Sequence, residues 1–293
     1  MIIDVHVHPE FSDLPPGDMA AQPHSAKLDL VANPGTYPIA LDRTSQHYYR
    51  RNNVMLPLKD FVEQLDSASI DRIVLVTPAV KNVPVRPVNE AVAALLRAHP
   101  DRFMGFAGFD PNTGAQAVEE IEYAVNELGF SGIKAVSSAL ELDINDKAFY
   151  PSYSKAQELG VPVLIHTGTV ILKGLRVRHS HPLMIDDVAF DFPELKIICA
   201  HLGGWQYLDA ISMVVHHQNV FADLSFWPLH PVYSGLIPWA TLESTVRDKI
   251  LLGSDYPAGQ TPREAVEAVN RLPVSQDFKE RILGKNAAAL LGV

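Results

Sequence analysis

Cysteine is almost absent from this chain of 293 residues: Cys199 is the only one. No disulfide can close within it, which excludes the small folds that depend on such staples. Cys199 itself stands inside an apolar run, the ordinary place for a small core residue. Basic residues are in deficit, with 24 Lys and Arg against 34 Asp and Glu and a formal net charge of −10. An acidic surface repels phosphate backbones and anionic lipid, so neither nucleic acid nor a membrane is expected as a partner. Long apolar runs are lacking as well, since none approaches the roughly 20 residues of a membrane span. The chain opens directly on a β-type run with no leader-like segment before it, so the expectation is a soluble, cytoplasmic protein. The remaining composition, 47% hydrophobic and 20% charged, is that of a globular protein with a sizeable core.

Short β-type runs alternate with amphipathic helical stretches from end to end. Strands are predicted over 2–7, 72–77, 102–108, 132–136, 161–166, 196–201, 219–224 and 249–254. Between them Leu58, Phe61, Val62 and Leu65 recur at helical spacing, as do Val118, Ile121, Val125 and Leu128. Asp146 marks a helix start before 147–160, and Thr261-Pro262 marks another before 263–272. Eight strands each followed by a helix predict an α/β fold, a single (β/α)8 TIM-barrel domain over 1–293. The competing open, doubly wound sheet would place a Gly-rich turn after the first strand, and this chain has His8-Pro9 there.

Two connections interrupt the alternation. Residues 9–56 carry many Pro, Gly and Asn residues without a sustained period, and loops this long are usually functional or disordered. Their Gln46-His-Tyr-Tyr-Arg-Arg51 cluster reads as a binding lid, with a solvated excursion or a contact between copies in a homo-oligomer as the alternatives. Residues 167–182 hold Lys173, Arg176, Arg178, His179 and His181, either positive charge for an anionic substrate or a plain basic surface loop.

The chemistry gathers at the strand ends. His6-Val-His8 closes the first run, and residues i and i+2 of a strand point to one face, so the two imidazoles converge. Such a pair also arises from packing alone. Here, however, Val161-Pro-Val-Leu-Ile-His166, Lys196-Ile-Ile-Cys-Ala-His201 and Ile250-Leu-Leu-Gly-Ser-Asp255 each end at or beside a further metal-capable side chain. All strand C-termini of a parallel barrel open on one face, where barrel active sites lie. Imidazole with carboxylate suits zinc, and also manganese or iron, making His6, His8, His166 and Asp255 candidate ligands of a divalent metal. Lys134 lies within the fourth strand, and a buried charge there requires a partner.

His6-Val-His8, His166-Thr-Gly168, His201-Leu-Gly-Gly204, Gly253-Ser-Asp-Tyr-Pro257 and the tail Ile282-Leu-Gly-Lys-Asn-Ala287 resemble the amidohydrolase superfamily. The likeness runs through the whole chain. It is nearest to the amidohydrolase-related branch that contains aminocarboxymuconate semialdehyde decarboxylase. That resemblance implies His6, His8, His166 and Asp255 as ligands of one metal ion, with His201 near the metal-bound water as general base or electrophile. Binuclear members use a carboxylated strand-four lysine to bridge two metals, so Lys134 implies either that bridge, an amine contacting substrate, or a structural ion pair.

The branch contains hydrolases, lactonases, hydratases and decarboxylases, so resemblance does not select a reaction. The first expectation is a metal-dependent hydrolase in which Asp255 and His201 handle protons on an amide, lactone or ester. The alternative is a non-oxidative decarboxylase of an aromatic or unsaturated acid, and the reading from another class is a binding barrel without catalysis. Arg50 and Arg51 are candidates to grip a carboxylate of this small-molecule substrate through paired hydrogen bonds. Trp205 and Phe226-Trp227-Pro228 supply either an aromatic pocket wall or ordinary packing.

Overall fold

The computed structural model describes residues 1–9, 11, 56–170 and 175–293. Eight strands form one parallel sheet in chain order: β1 (Ile3–Val7), β2 (Arg72–Val76), β3 (Phe103–Gly108), β4 (Gly132–Ala135), β5 (Val163–Ile165), β6 (Ile197–Cys199), β7 (Val220–Asp223) and β8 (Ile250–Leu251). Each lies within its predicted span. Between β8 and β1, Val5 N–H donates to Leu252 O at 2.9 Å and His8 N–H to Tyr256 O at 2.8 Å, bringing the two edges together. Helices intervene between successive strands, giving the predicted (β/α)8 TIM barrel.

Period-two alternation divides the strand residues into two cores. Val5, Val74, Val76, Phe106, Leu164, Ile198 and Leu251 fill the barrel, and Ala287 and Leu290 of the last helix (Asn286–Leu291) join them. Val7, Ile73, Leu75, Ile133, Val163, Ile197 and Ile250 face the surrounding helices, packing with Phe61, Leu65 and Ile121 of the two predicted helical stripes. The β1–β2 register shifts between Asp4 and Val7. Such irregularities re-aim side chains, and here Val5 joins the interior while His6 reaches the strand ends. Cys199 is fully buried and burial pushes its thiol above its ordinary range, as suits a core residue.

Helix starts were legible to differing degrees. Thr261 caps Pro262–Asn270 in a reciprocal capping box with Glu264. The helix expected from residue 147 begins instead at Tyr150, because the Asp146 carboxylate takes the Ala148 N–H at 2.9 Å and closes a turn of its own. Among the described residues, no helix is long and apolar enough to cross a membrane.

Candidate metal centre

Strand direction carries His6, His8, Lys134, His166, His201 and Asp255 to the C-terminal mouth of the barrel. Lys134 pairs in register with Gly108 and Leu164 and turns inward, where its Nζ lies 3.1 Å from His6 Nε2. His8 Nε2 is 3.1 Å, and His6 Nε2 3.4 Å, from Asp255 Oδ1. Ligand atoms of His6, His8 and Asp255 all lie within 4.8 Å of one another. His166 lies against His201, with Nδ1 3.1 Å from His201 Nε2.

The backbone holding these groups is unusual. His201 and Leu202 have φ of 58° and 45°, followed by Gly203 and Gly204 at 76° and 57°. Left-handed backbone is strained for a buried leucine and persists only where the surroundings enforce it. Gly168 (φ 86°) provides part of that enforcement: a Cβ there would meet Gly203 O at 2.1 Å. Two glycines from the His166-Thr-Gly168 and His201-Leu-Gly-Gly204 segments are therefore pressed backbone to backbone. Thr167 Oγ1 adds a hydrogen bond to Ala200 O at 2.6 Å. Gly168→Ala is expected to lose about 2–4 kcal/mol in denaturant unfolding, combining overpacking with strain. A loss below about 0.5 kcal/mol, the scale of a neutral surface change, would mean that the contact is slack.

Asp223 at the end of β7 organises the imidazoles, and sequence reasoning missed it. Fully buried, its Oδ2 accepts from His6 Nδ1 at 3.0 Å, and its Oδ1 accepts from the backbone N–H of His201 at 3.0 Å and of Ser225 at 2.9 Å. The Ser225 hydroxyl also donates to Oδ1, and Ser225 Oγ stands 2.7 Å from His201 Nδ1. An ionised carboxylate only accepts, so the proton of His6 sits on Nδ1 and the lone pair of Nε2 faces the mouth. By the same reasoning His201 donates from Nδ1 to Ser225 Oγ, and its Nε2 lone pair faces His166. The available signal was a carboxylate inside an apolar strand, Val220-Phe-Ala-Asp223; Asp4 in β1 is a second such case, its Oδ1 taking the N–H of His6 and Ser254 at 3.1 and 3.0 Å.

Burial, then the Lys134 charge, drives His6 down to about 4 despite opposing pulls from Asp223 and Asp255. Burial also lowers His166, with His201 and Lys134 adding to it, and lowers His201 against Asp255 and Asp223. These imidazoles are neutral at pH 7, the state in which a nitrogen can bind metal. Burial works against ionised Asp255, but His201, the hydrogen bond from His8 and the His6 ring hold it well below the usual carboxylate range. Asp223 is held low in the same way, burial being overcome by His6, His201 and Ser225. Burial brings Lys134 down to about 8 against the two aspartates, so its amine is still largely charged at neutral pH.

The donor set fits a divalent cation: neutral imidazoles, an ionised carboxylate, and a buried His166 Nε2 with no hydrogen-bond partner among the described residues. Other expectations fared differently. The ring against His201 is Phe226, 6.3 Å between centroids, while Trp227 packs on Phe226, Trp205 and Tyr233. Gln260 clamps Phe226 in its left-handed turn (φ 65°), its amide bonded to both the N–H and C=O at 3.0 and 2.7 Å. In the second connection Arg176 and Arg178 are exposed, and buried His179 is bonded to Asp143 at 2.5 Å instead of facing a ligand. Arg50, Arg51, most of segment 9–56 and Lys173 lie outside the described residues.

A family model described as amidohydrolase matches residues 3–293. The chain is 26% identical over 241 residues to 2-amino-3-carboxymuconate-6-semialdehyde decarboxylase of Dictyostelium discoideum, covering 70% of this chain and 66% of that protein. It is 24% identical over 226 residues to γ-resorcylate decarboxylase of Rhodococcus jostii, covering 64% and 68% respectively. Among solved structures it is similar to a dihydroxybenzoic acid decarboxylase from Polaromonas sp. with bound manganese, with a TM-score of 0.67 at 18% identity over 99% of this chain and 96% of that one.

Proposed function

We propose that this chain, which belongs to the amidohydrolase family, is a metal-dependent decarboxylase of a small aromatic or unsaturated carboxylic acid. The observation that carries this reading is the likeness to two decarboxylases over 70% and 64% of the chain; the buried Lys134 amine beside the candidate metal ligands is where a substrate carboxylate would be met. The hydrolase expectation has less support from these relatives; what favours it is the strand-four position of Lys134.

His6, His8, His166 and Asp255 would hold one divalent ion, with zinc, manganese and iron the candidates and a second ion only if Lys134 is carboxylated. When bound, that ion draws negative oxygens and lowers the barrier to charge build-up on the substrate. Lys134 pairs with the carboxylate and orients it. Phe226, backed by Trp227, supplies the apolar wall against which an unsaturated ring or chain lies. Arg50 and Arg51 are retained as candidates for a further acidic group. As the bond to the carboxyl carbon breaks, its electron pair stays on the substrate carbon and carbon dioxide leaves. One proton takes the vacated position. His201 delivers that proton from Nε2: its ring is fixed by Ser225 through Nδ1, and being neutral at rest it first takes up a proton on Nε2 from solvent.

Incubation with a panel of aromatic and unsaturated carboxylic acids should release carbon dioxide. In His201→Ala that release should fall by about 10²–10⁴-fold, a typical acid–base contribution, while metal content stays unchanged. Turnover of amides, lactones or esters with no carbon dioxide from any acid would replace decarboxylation by hydrolysis.

A further inference from the structure

A second group of ligating side chains lies outside the barrel mouth. Asp186 belongs to the first turn of the helix Ile185–Asp191, whereas His216 ends the helix Tyr207–His216 and His217 follows it. Their ligand atoms all lie within 4.8 Å of one another. Successive residues of a helix point about 100° apart, so adjacent histidines ordinarily diverge. Here the helix stops between them. His217 is extended (φ −99°, ψ 131°), and the two rings meet edge to face with centroids 4.7 Å apart. Lys249 pins that ending by donating to the carbonyls of Val214 and His217 at 2.9 and 2.6 Å, which directs its ammonium at the backbone.

We propose that Asp186, His216 and His217 form a second metal site on the outer shell of the barrel, for a borderline divalent cation such as zinc. Two imidazoles and a carboxylate are a donor set that such ions favour. Bonds of about 2.0–2.2 Å leave donors roughly 3–3.5 Å apart around a four-coordinate ion, within the spread seen here. At present His217 Nε2 donates to Asp186 Oδ1 at 2.7 Å. Binding replaces that shared proton with the ion: the proton goes to solvent, and the carboxylate and nitrogen separate slightly to accept the metal. Asp186 and His216 are exposed, so the ion has a path in and water can complete its coordination. His217 is 9% exposed and anchors the site from the interior side. The ion would link two neighbouring helices, and its presence does not depend on the reaction at the mouth.

The test is zinc titration of the metal-free full-length protein, followed by metal counting after desalting. Wild type should retain about one equivalent more than His216→Ala or Asp186→Asn, and His6→Ala should keep this outer equivalent. Zinc should raise the melting temperature of His6→Ala but not that of the His6→Ala/His216→Ala double variant. His216 is the residue to remove because it is exposed, so its loss leaves the fold intact; circular dichroism checks this. Equal zinc retention by wild type and His216→Ala, or an undiminished count in Asp186→Asn, would overturn the proposal.

Discussion

Replacing His6 by alanine is expected to remove the metal at the barrel mouth and to lower kcat/KM by at least three orders of magnitude, about 4 kcal/mol of transition-state stabilisation. His6 is tied to three of its neighbours at the mouth. Nδ1 is anchored on Asp223 at 3.0 Å, and Nε2 lies within reach of both Lys134 and Asp255, at 3.1 and 3.4 Å. Its loss removes a donor atom and also leaves an ionised, buried Asp223 without one of its hydrogen bonds. The measurement is metal content by elemental analysis beside turnover, in a His216→Ala background so that the outer residues do not contribute to the count. Lys134→Ala gives the contrast. Metal kept in Lys134→Ala and lost in His6→Ala supports a single ion and an amine that meets substrate. Loss of one of two equivalents in Lys134→Ala supports the carboxylated bridge and moves the reading to hydrolysis. Full metal content and full activity in His6→Ala would remove this histidine from the site.

Asp223→Asn is expected to weaken metal binding by 10–100-fold or more, although the two side chains are nearly isosteric and no candidate ligand is altered. Four donors converge on the carboxylate: His6 Nδ1, the backbone N–H groups of His201 and Ser225, and the Ser225 hydroxyl. An amide has one oxygen, which will turn to the side with three donors. Its NH2 then faces His6 Nδ1, donor against donor. The ring escapes by moving its proton to Nε2, which removes the lone pair that points to the mouth. Stability should fall as well, by about 2–4 kcal/mol, because hydrogen bonds to a buried charge are lost. Competitive metal titration reads the first effect and urea unfolding the second. Native-like metal affinity in a folded Asp223→Asn protein would show that the carboxylate does not set the His6 tautomer.

These two residues differ in how they could be found. His6 was legible because His-x-His at a strand end is a local pattern whose geometry follows from the period of two. Asp223 was not. It lies 217 residues from His6, and nothing near it in sequence announces that contact. The left-handed conformation of Gly203 and Gly204 extends back through His201 and Leu202, residue types that do not ordinarily adopt it. Phe226 and Trp227 were read together as an aromatic wall, without a distinction between them. Phe226, turned left-handed and clamped by Gln260, is the ring that reaches His201.

From the sequence alone came the number, order and approximate places of the strands, the barrel they form, and the rim residues of β1, β4, β5, β6 and β8, although β5, β6 and β8 are shorter than predicted. All of these rest on short-range periodicity and on the rule that parallel strands end on one face. The tertiary structure decided the side to which Lys134 turns, how His6 and His201 share one buried carboxylate, and the meeting of Asp186 with His216 and His217. Each of these depends on closure of the sheet or on the packing of one shell helix against the next. Such contacts join residues far apart in the chain, and their distances are set only when the whole barrel has formed.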